Sequence, residues 1–188
     1  ADGSSLGNLG DGVQIYDQAS GNLIGGTSSG SGNVITGNTD QGIDVEVDAG
    51  TANSLLGNSV FNNGQLGIDL GASGVTANDA GDADTGANNL QNFPVLTSAF
   101  TDGSSTVAVT GTLNSTAYTS LRVEFFANAS GSDGETYLGY RNVITNGNGN
   151  VTFVDSFNAT VTAGDTITTT ATNLATGDTS EFSAGVVS

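Results

Sequence analysis

The chain has 188 residues, 36% of them hydrophobic, with 29 glycines and a formal charge of −17 from 19 acidic residues against two arginines, Arg122 and Arg141. Without cysteine there is no disulfide frame and no thiolate metal site, and without histidine there is no Ser-His-Asp triad. A surface this acidic repels nucleic-acid phosphate and anionic membranes and suits hard cations such as calcium.

No apolar run reaches transmembrane length, so no membrane insertion is expected. No leader pattern opens the chain, so if secreted it is expected to be a mature or excised form. The length suits one large or two small domains. Glycine, asparagine and aspartate are poor helix formers, while Val, Ile, Thr, Phe and Tyr favour strands. No sustained 3.6-residue period is visible, and the expected class is all-β.

Residues 1–71 repeat, within an expected first domain of residues 1–77. Gly12-Val13-Gln14-Ile15 recurs as Gly42-Ile43-Asp44-Val45 and Gly67-Ile68-Asp69-Leu70, at spacings of 30 and 25 residues. Between them fall Asn-x-apolar phrases at Asn22, Asn33, Asn53 and Asn58. The extra residues of the first interval lie in residues 25–32, which read as an inserted loop. A period near 25 with short strands predicts a parallel β-helix, each coil rising about 4.8 Å. Ordinary hairpins in a sandwich are the rival reading. In the helical reading Val13/Ile15, Ile43/Val45 and Ile68/Leu70 point inward. Asparagine at the corners tolerates left-handed backbone.

The repeat starts in mid-coil, so its first coil is expected to expose an apolar cross-section and unpaired strand edges. Leu6, Val13 and Ile15 form the expected assembly edge. Its partner would be a head-to-tail neighbour of the same chain, giving an open filament, or a strand exchanged between subunits. The alternatives are a fragment of a longer helix and a short helix capped by the second domain.

Residues 78–94 form an acidic capping or linker loop. Asn78, Asp79, Asp82, Asp84 and Asn88 are the candidate calcium ligands, because alternating oxygen donors on a flexible loop suit that ion. The spacing is not that of an EF-hand. Asn92-Phe93-Pro94 then restricts the backbone and marks a boundary.

Residues 95–188 read as seven strands, near 95–100, 105–113, 120–128, 136–144, 150–157, 165–172 and 179–186. That count fits an immunoglobulin-like β-sandwich. Phe125, Phe153, Phe157 and Phe182 are the expected core.

The strongest enzymatic candidate is the stacked pair Asp44 and Asp69, with Gln14 one coil earlier. Two carboxylates about 5 Å apart suit a retaining glycosidase, but they equally bind cations or face water. The first half carries no Arg or Lys to neutralise charge in a lyase, and there is no phosphate-binding loop. The expectation is that the protein is not an enzyme.

The stretch GNLIGG…GNVITGNTDQGIDVEV…NSLLGNSVFNNGQLGIDLG resembles the right-handed parallel β-helix repeats of large bacterial surface and secreted proteins. GVTANDAGDADTGANNLQNFPVL is similar to the segment that ends such helices, and the second half to the immunoglobulin-like module that often follows. The resemblance implies an extracellular or cell-surface location. Together these readings predict a structural, self-assembling subunit. The alternative is a cell-surface adhesin or carbohydrate-binding module from a larger protein, contacting extracellular polysaccharide. The absence of tryptophan and the presence of only four tyrosines weigh against it.

Overall fold

A computed structural model describes residues 7–188. The protein is all-β. Its first half contains β1 (Val13–Ile15), β2 (Leu23–Gly25), β3 (Val34–Thr36), β4 (Ile43–Glu46), β5 (Ser54–Leu56), β6 (Ser59–Phe61) and β7 (Ile68–Gly71). They pair in parallel as three ladders, β1-β4-β7, β2-β5 and β3-β6. Parallel pairing rules out hairpins, which join antiparallel neighbours. The register follows the repeat: Val13 meets Ile43, which meets Ile68, and Ile15 meets Val45, which meets Leu70.

Three strands and their corners make one tier. The inward residues Ile43, Val45, Leu55, Val60, Ile68 and Leu70 form one buried cluster. The glycine that opens each phrase is fixed by this stacking. A Cβ on Gly12 would lie 2.4 Å from Ile35, and one on Gly42 would lie 2.4 Å from Val60. Any larger residue would force the tier open.

The third tier is composite. It begins with β7, but its other corners come from elsewhere. A Cβ on Gly67 would lie 2.9 Å from the Phe182 ring, so Phe182 fills the place that Ile35 and Val60 occupy in the tiers above. Residues Ala87–Leu90 form a short turn that inserts fully buried Ala87 and Asn88 beneath the second tier. Val60 also exchanges both backbone bonds with Gly134 of the second half, at 2.8 Å each.

The second half contains β8 (Val95–Thr101), β9 (Thr106–Asn114), β10 (Ser120–Asn128), β11 (Thr136–Ile144), β12 (Asn150–Asn158), β13 (Thr166–Asn173) and β14 (Val186–Val187). They form two antiparallel sheets, β11-β10-β13-β14 and β12-β9-β8. Leu121, Val123 and Phe125 of β10 face Val107, Val109 and Phe153 in a buried core. Phe157 is half-buried against it, its ring 4.8 Å from that of Phe125. Phe182, expected in this core, packs instead with Phe126 in the cluster of the first half.

Six of the seven expected strands form as expected. The seventh, read as 179–186, is a strand only at Val186–Val187, with a lone bridge from Thr172 to Thr179. The reason is local. The hydroxyls of Ser180 and Ser183 accept the N–H groups of Ala171 and Thr169 at 2.9 and 3.0 Å, where a regular strand would offer carbonyls. This side-chain pairing holds the segment beside β13 while Glu181 and Phe182 reach the first half.

Candidate functional site

The two ends of the tiered half differ. At the far end, outward N–H groups of the second and third tiers meet side chains of the second half. Gly57 donates to Glu124 at 2.8 Å, Gly67 to Asp133 at 2.9 Å, and Ala52 to Asp178 at 2.6 Å. Leu55 donates to the Thr179 hydroxyl at 3.0 Å. Glu181 takes Leu70 and Thr76 at 3.0 Å each, one on each carboxylate oxygen. Side chains do here what another strand would otherwise do. Each of these carboxylates accepts a backbone N–H that a further strand's carbonyl would otherwise take. Burial raises the carboxyls of Glu124 and Asp133 and carries Glu181 to about 7, with Asp69 adding repulsion at Glu181.

Asparagine rungs link the tiers. Asn53 Oδ1 accepts the backbone and side-chain N–H of Asn22 at 3.2 and 2.8 Å, and Asn58 does the same for Asn33 at 3.1 and 3.0 Å. A third column joins Asn8, Asn38 and Asn63. Its signal was present: each of these asparagines stands four residues before Gly12, Gly42 or Gly67.

The rungs run one way, each Oδ1 receiving from the tier before. The first column ends in Asn88, whose Oδ1 accepts the Asn53 N–H at 2.9 Å. The Asn88 amide also donates to the carbonyls of Asn53 and Thr179. This binding holds Asn88, Asn89 and Leu90 in left-handed backbone, at φ of 49, 51 and 49°.

At the near end, among the described residues, β1, β2 and β3 have no strand on their outer edges. Asn22 Oδ1 and Asn33 Oδ1 accept no hydrogen bond from a described residue. Half-buried Val13 and buried Ile15, two of the expected edge residues, line a concavity of about 430 Å³ with Ala19 and Ile24. Leu6, the third, lies outside the described residues.

Asp44 and Asp69 are brought into register, with Gln14 opposite Asp44. Burial first, then Glu46, Asp11 and Asp69, raises the Asp44 carboxyl to about 7. Asp69 is 1% exposed. Its Oδ2 accepts Gln41 Nε2 at 3.0 Å and Gly74 N–H at 3.2 Å, while Oδ1 is buried without a partner. A carboxylate sealed in this way does not reach a sugar ring.

The acidic loop gathers Asp79, Asp82 and Asp84, one oxygen of each within 4.8 Å of the others. Asp82 is anchored by Asn92 N–H at 2.7 Å and by Gln91 Nε2 and Ser115 Oγ at 2.6 Å each. Asp84 Oδ1 is buried without a partner. Burial, then Asp79 and Asp82, raises Asp84. The other two sequence candidates stand apart from this group. The Asn78 side chain bonds the backbone of Phe93 in both directions, and Asn88 ends the asparagine column.

The capping residues Glu124, Asp133, Asp178, Thr179 and Glu181 were not found from sequence. Only Glu124 left a trace, as the acid in the alternating run Leu121-Arg122-Val123-Glu124-Phe125. No protein-family model and no curated protein sequence matches the chain.

Proposed function

We propose that this protein is a non-enzymatic, extracellular structural module: a short right-handed parallel β-helix closed at one end by an immunoglobulin-like β-sandwich, with its free first tier as the assembly face. The observation that carries this reading is the contrast between the ends. The last tier is sealed by acidic side chains, while the first, among the described residues, offers strand edges, an apolar concavity and asparagine acceptors.

The polarity of the rungs selects the occupant. Two first tiers meeting face to face would set acceptor against acceptor. A copy stacking head to tail would need a free last tier, and the sandwich occupies it. What fits is a further asparagine-bearing tier, supplied ahead of the first by the same or another chain. The module then terminates a β-helical stack, as capping units do in repeat proteins. A filament of identical copies joined through both helix ends is the reading this one replaces.

The acidic loop at the cap is proposed to take one hard divalent cation, calcium by preference. Its three clustered carboxylates and the unpartnered Asp84 oxygen suit oxygen-only coordination.

The test adds a tier. A variant carrying a second copy of residues 37–61 ahead of the first tier should melt higher and protect the amides of β1–β3 from exchange. The unextended chain should sediment as a monomer. An extra tier that stays protease-sensitive and adds no stability would sink the stacking reading. Regular fibres of the unextended chain in negative-stain micrographs would restore the filament.

A further inference from the structure

The inserted loop at residues 25–32 stacks on the next tier only through Gly25 and Gly26, which meet Leu56, and its tip at Thr27, Ser28 and Ser29 faces β10 and β11 of the second half. On β10, Arg122 and Glu124 point away from the sandwich core toward the first half. Glu124 is fully buried and binds Arg122 Nε at 2.8 Å. The guanidinium stacks on Tyr140, its carbon 3.5 Å from the ring centroid, and Nη2 donates to Tyr137 Oη at 3.0 Å.

Tyr137 and Tyr140 are three apart on β11, and a regular strand would send them to opposite faces. They share a face because the strand is bulged. Phe125 pairs with Gly139 while Phe126 pairs with Tyr137, which leaves Leu138 as the extra residue. Gly139 sits at φ 148°, and a Cβ there would lie 2.8 Å from the Phe157 ring. Bulges of this kind re-aim side chains.

The result is a cleft of about 470 Å³ between the two tyrosines, Arg122 and the loop residues Thr27, Ser28 and Ser29. This lies within the range of about 300–1,000 Å³ typical of small-ligand sites. Tyr140 is 51% exposed and Tyr137 38%, although Arg122 covers one face of the Tyr140 ring and Tyr137 packs edge-on against Phe126, so a ligand would meet the remaining exposed parts of the rings. Among the described residues no acceptor takes Nη1 of Arg122.

We infer that this cleft is a binding site for a neutral saccharide, its ring lying on tyrosine and its hydroxyls bonded to Arg122 and to the loop hydroxyls. Three observations select that class. Aromatic faces beside polar hydroxyls match a ring with one C–H face and a polar rim. Glu124 neutralises Arg122 locally, so the cleft has no spare positive charge for an anion. The formal charge of −17 repels acidic glycans at long range. The site adjoins Gly57 of the second tier but uses none of the strands β1, β2 and β3 that form the proposed assembly face.

An array of neutral and uronate-bearing oligosaccharides, followed by calorimetry with the strongest neutral binder, tests the inference. Neutral glycans should be retained. Y140A should weaken binding about tenfold. S29W, which fills the cleft from an exposed loop position, should abolish binding and leave the melting temperature unchanged. Retention of uronates alone, retention of no glycan, or binding that survives S29W would overturn it.

Discussion

Both halves bury an apolar cluster, and they differ in what is added to it. The second half has long strands of up to nine residues in two antiparallel sheets around a buried apolar core. Hydrophobic burial dominates there, and it is non-directional. The tiered half has strands of three or four residues and depends on directed bonds between tiers. Asparagine columns and the acidic cap supply what the short strands lack. The contrast teaches that the tiered half has ends, and that the ends decide what it does. A core can close on itself, whereas a ladder needs something to stop it.

Removing rungs in order tests whether the two ends of the tiered half differ. Asn53 is fully buried. Its loss strips acceptors from Asn22 and donors from the carbonyls of Ala19 and Gly50. N53A and N88A should each cost about 3 kcal/mol, since buried backbone groups are left unpaired. N22A, at the free end, should cost less than about 1 kcal/mol. Urea denaturation measures all three. Equal costs along the column would mean that the ends are not different.

The legibility of the sequence follows the same division. Ladder register could be read because Val13, Ile43 and Ile68 repeat with their glycines, and stacking enforces that repeat. The strands of the second half could be read from alternation such as Leu121-Val123-Phe125. The cap could not, because Glu181 and Phe182 lie far along the chain from the Leu70 and Gly67 that they cover. Nothing local distinguishes them from strand residues. Asn88 was misleading for the same reason. Beside three aspartates it looks like a ligand, yet its partner is Asn53, 35 residues earlier.

A smaller effect sharpens the account of the cap. Burial raises Glu181 from 4.5 to about 7, and burial with repulsion raises Asp44 from 3.8 to about 7. Acids raised on folding are bound to protons that the unfolded chain releases. Their contribution is full below the unfolded values and is lost as pH rises to about 7. Glu124, Asp133 and Asp82 are raised and act in the same direction. Exposed Asp102, lowered by N–H groups of its own turn, runs the other way. The melting temperature should therefore fall between about pH 4.5 and 7, and E181Q should flatten that slope. A melting temperature that climbs across this window would mean that the acidic cap does not bear on stability as its burial implies.

The smallest expected effect concerns the loop joining the halves. Calcium at about a hundred times its dissociation constant should stabilise the protein by about 2.7 kcal/mol. D84N should remove that gain without lowering the calcium-free melt, because the Asp84 Oδ1 makes no bond and its charge is buried and repelled by Asp79 and Asp82. D82N is the contrasting variant. It weakens the bonds from Asn92, Gln91 and Ser115 and should destabilise the protein with or without calcium. If D84N and D82N behave alike, the loop is a hydrogen-bonded joint between the halves and not a cation site.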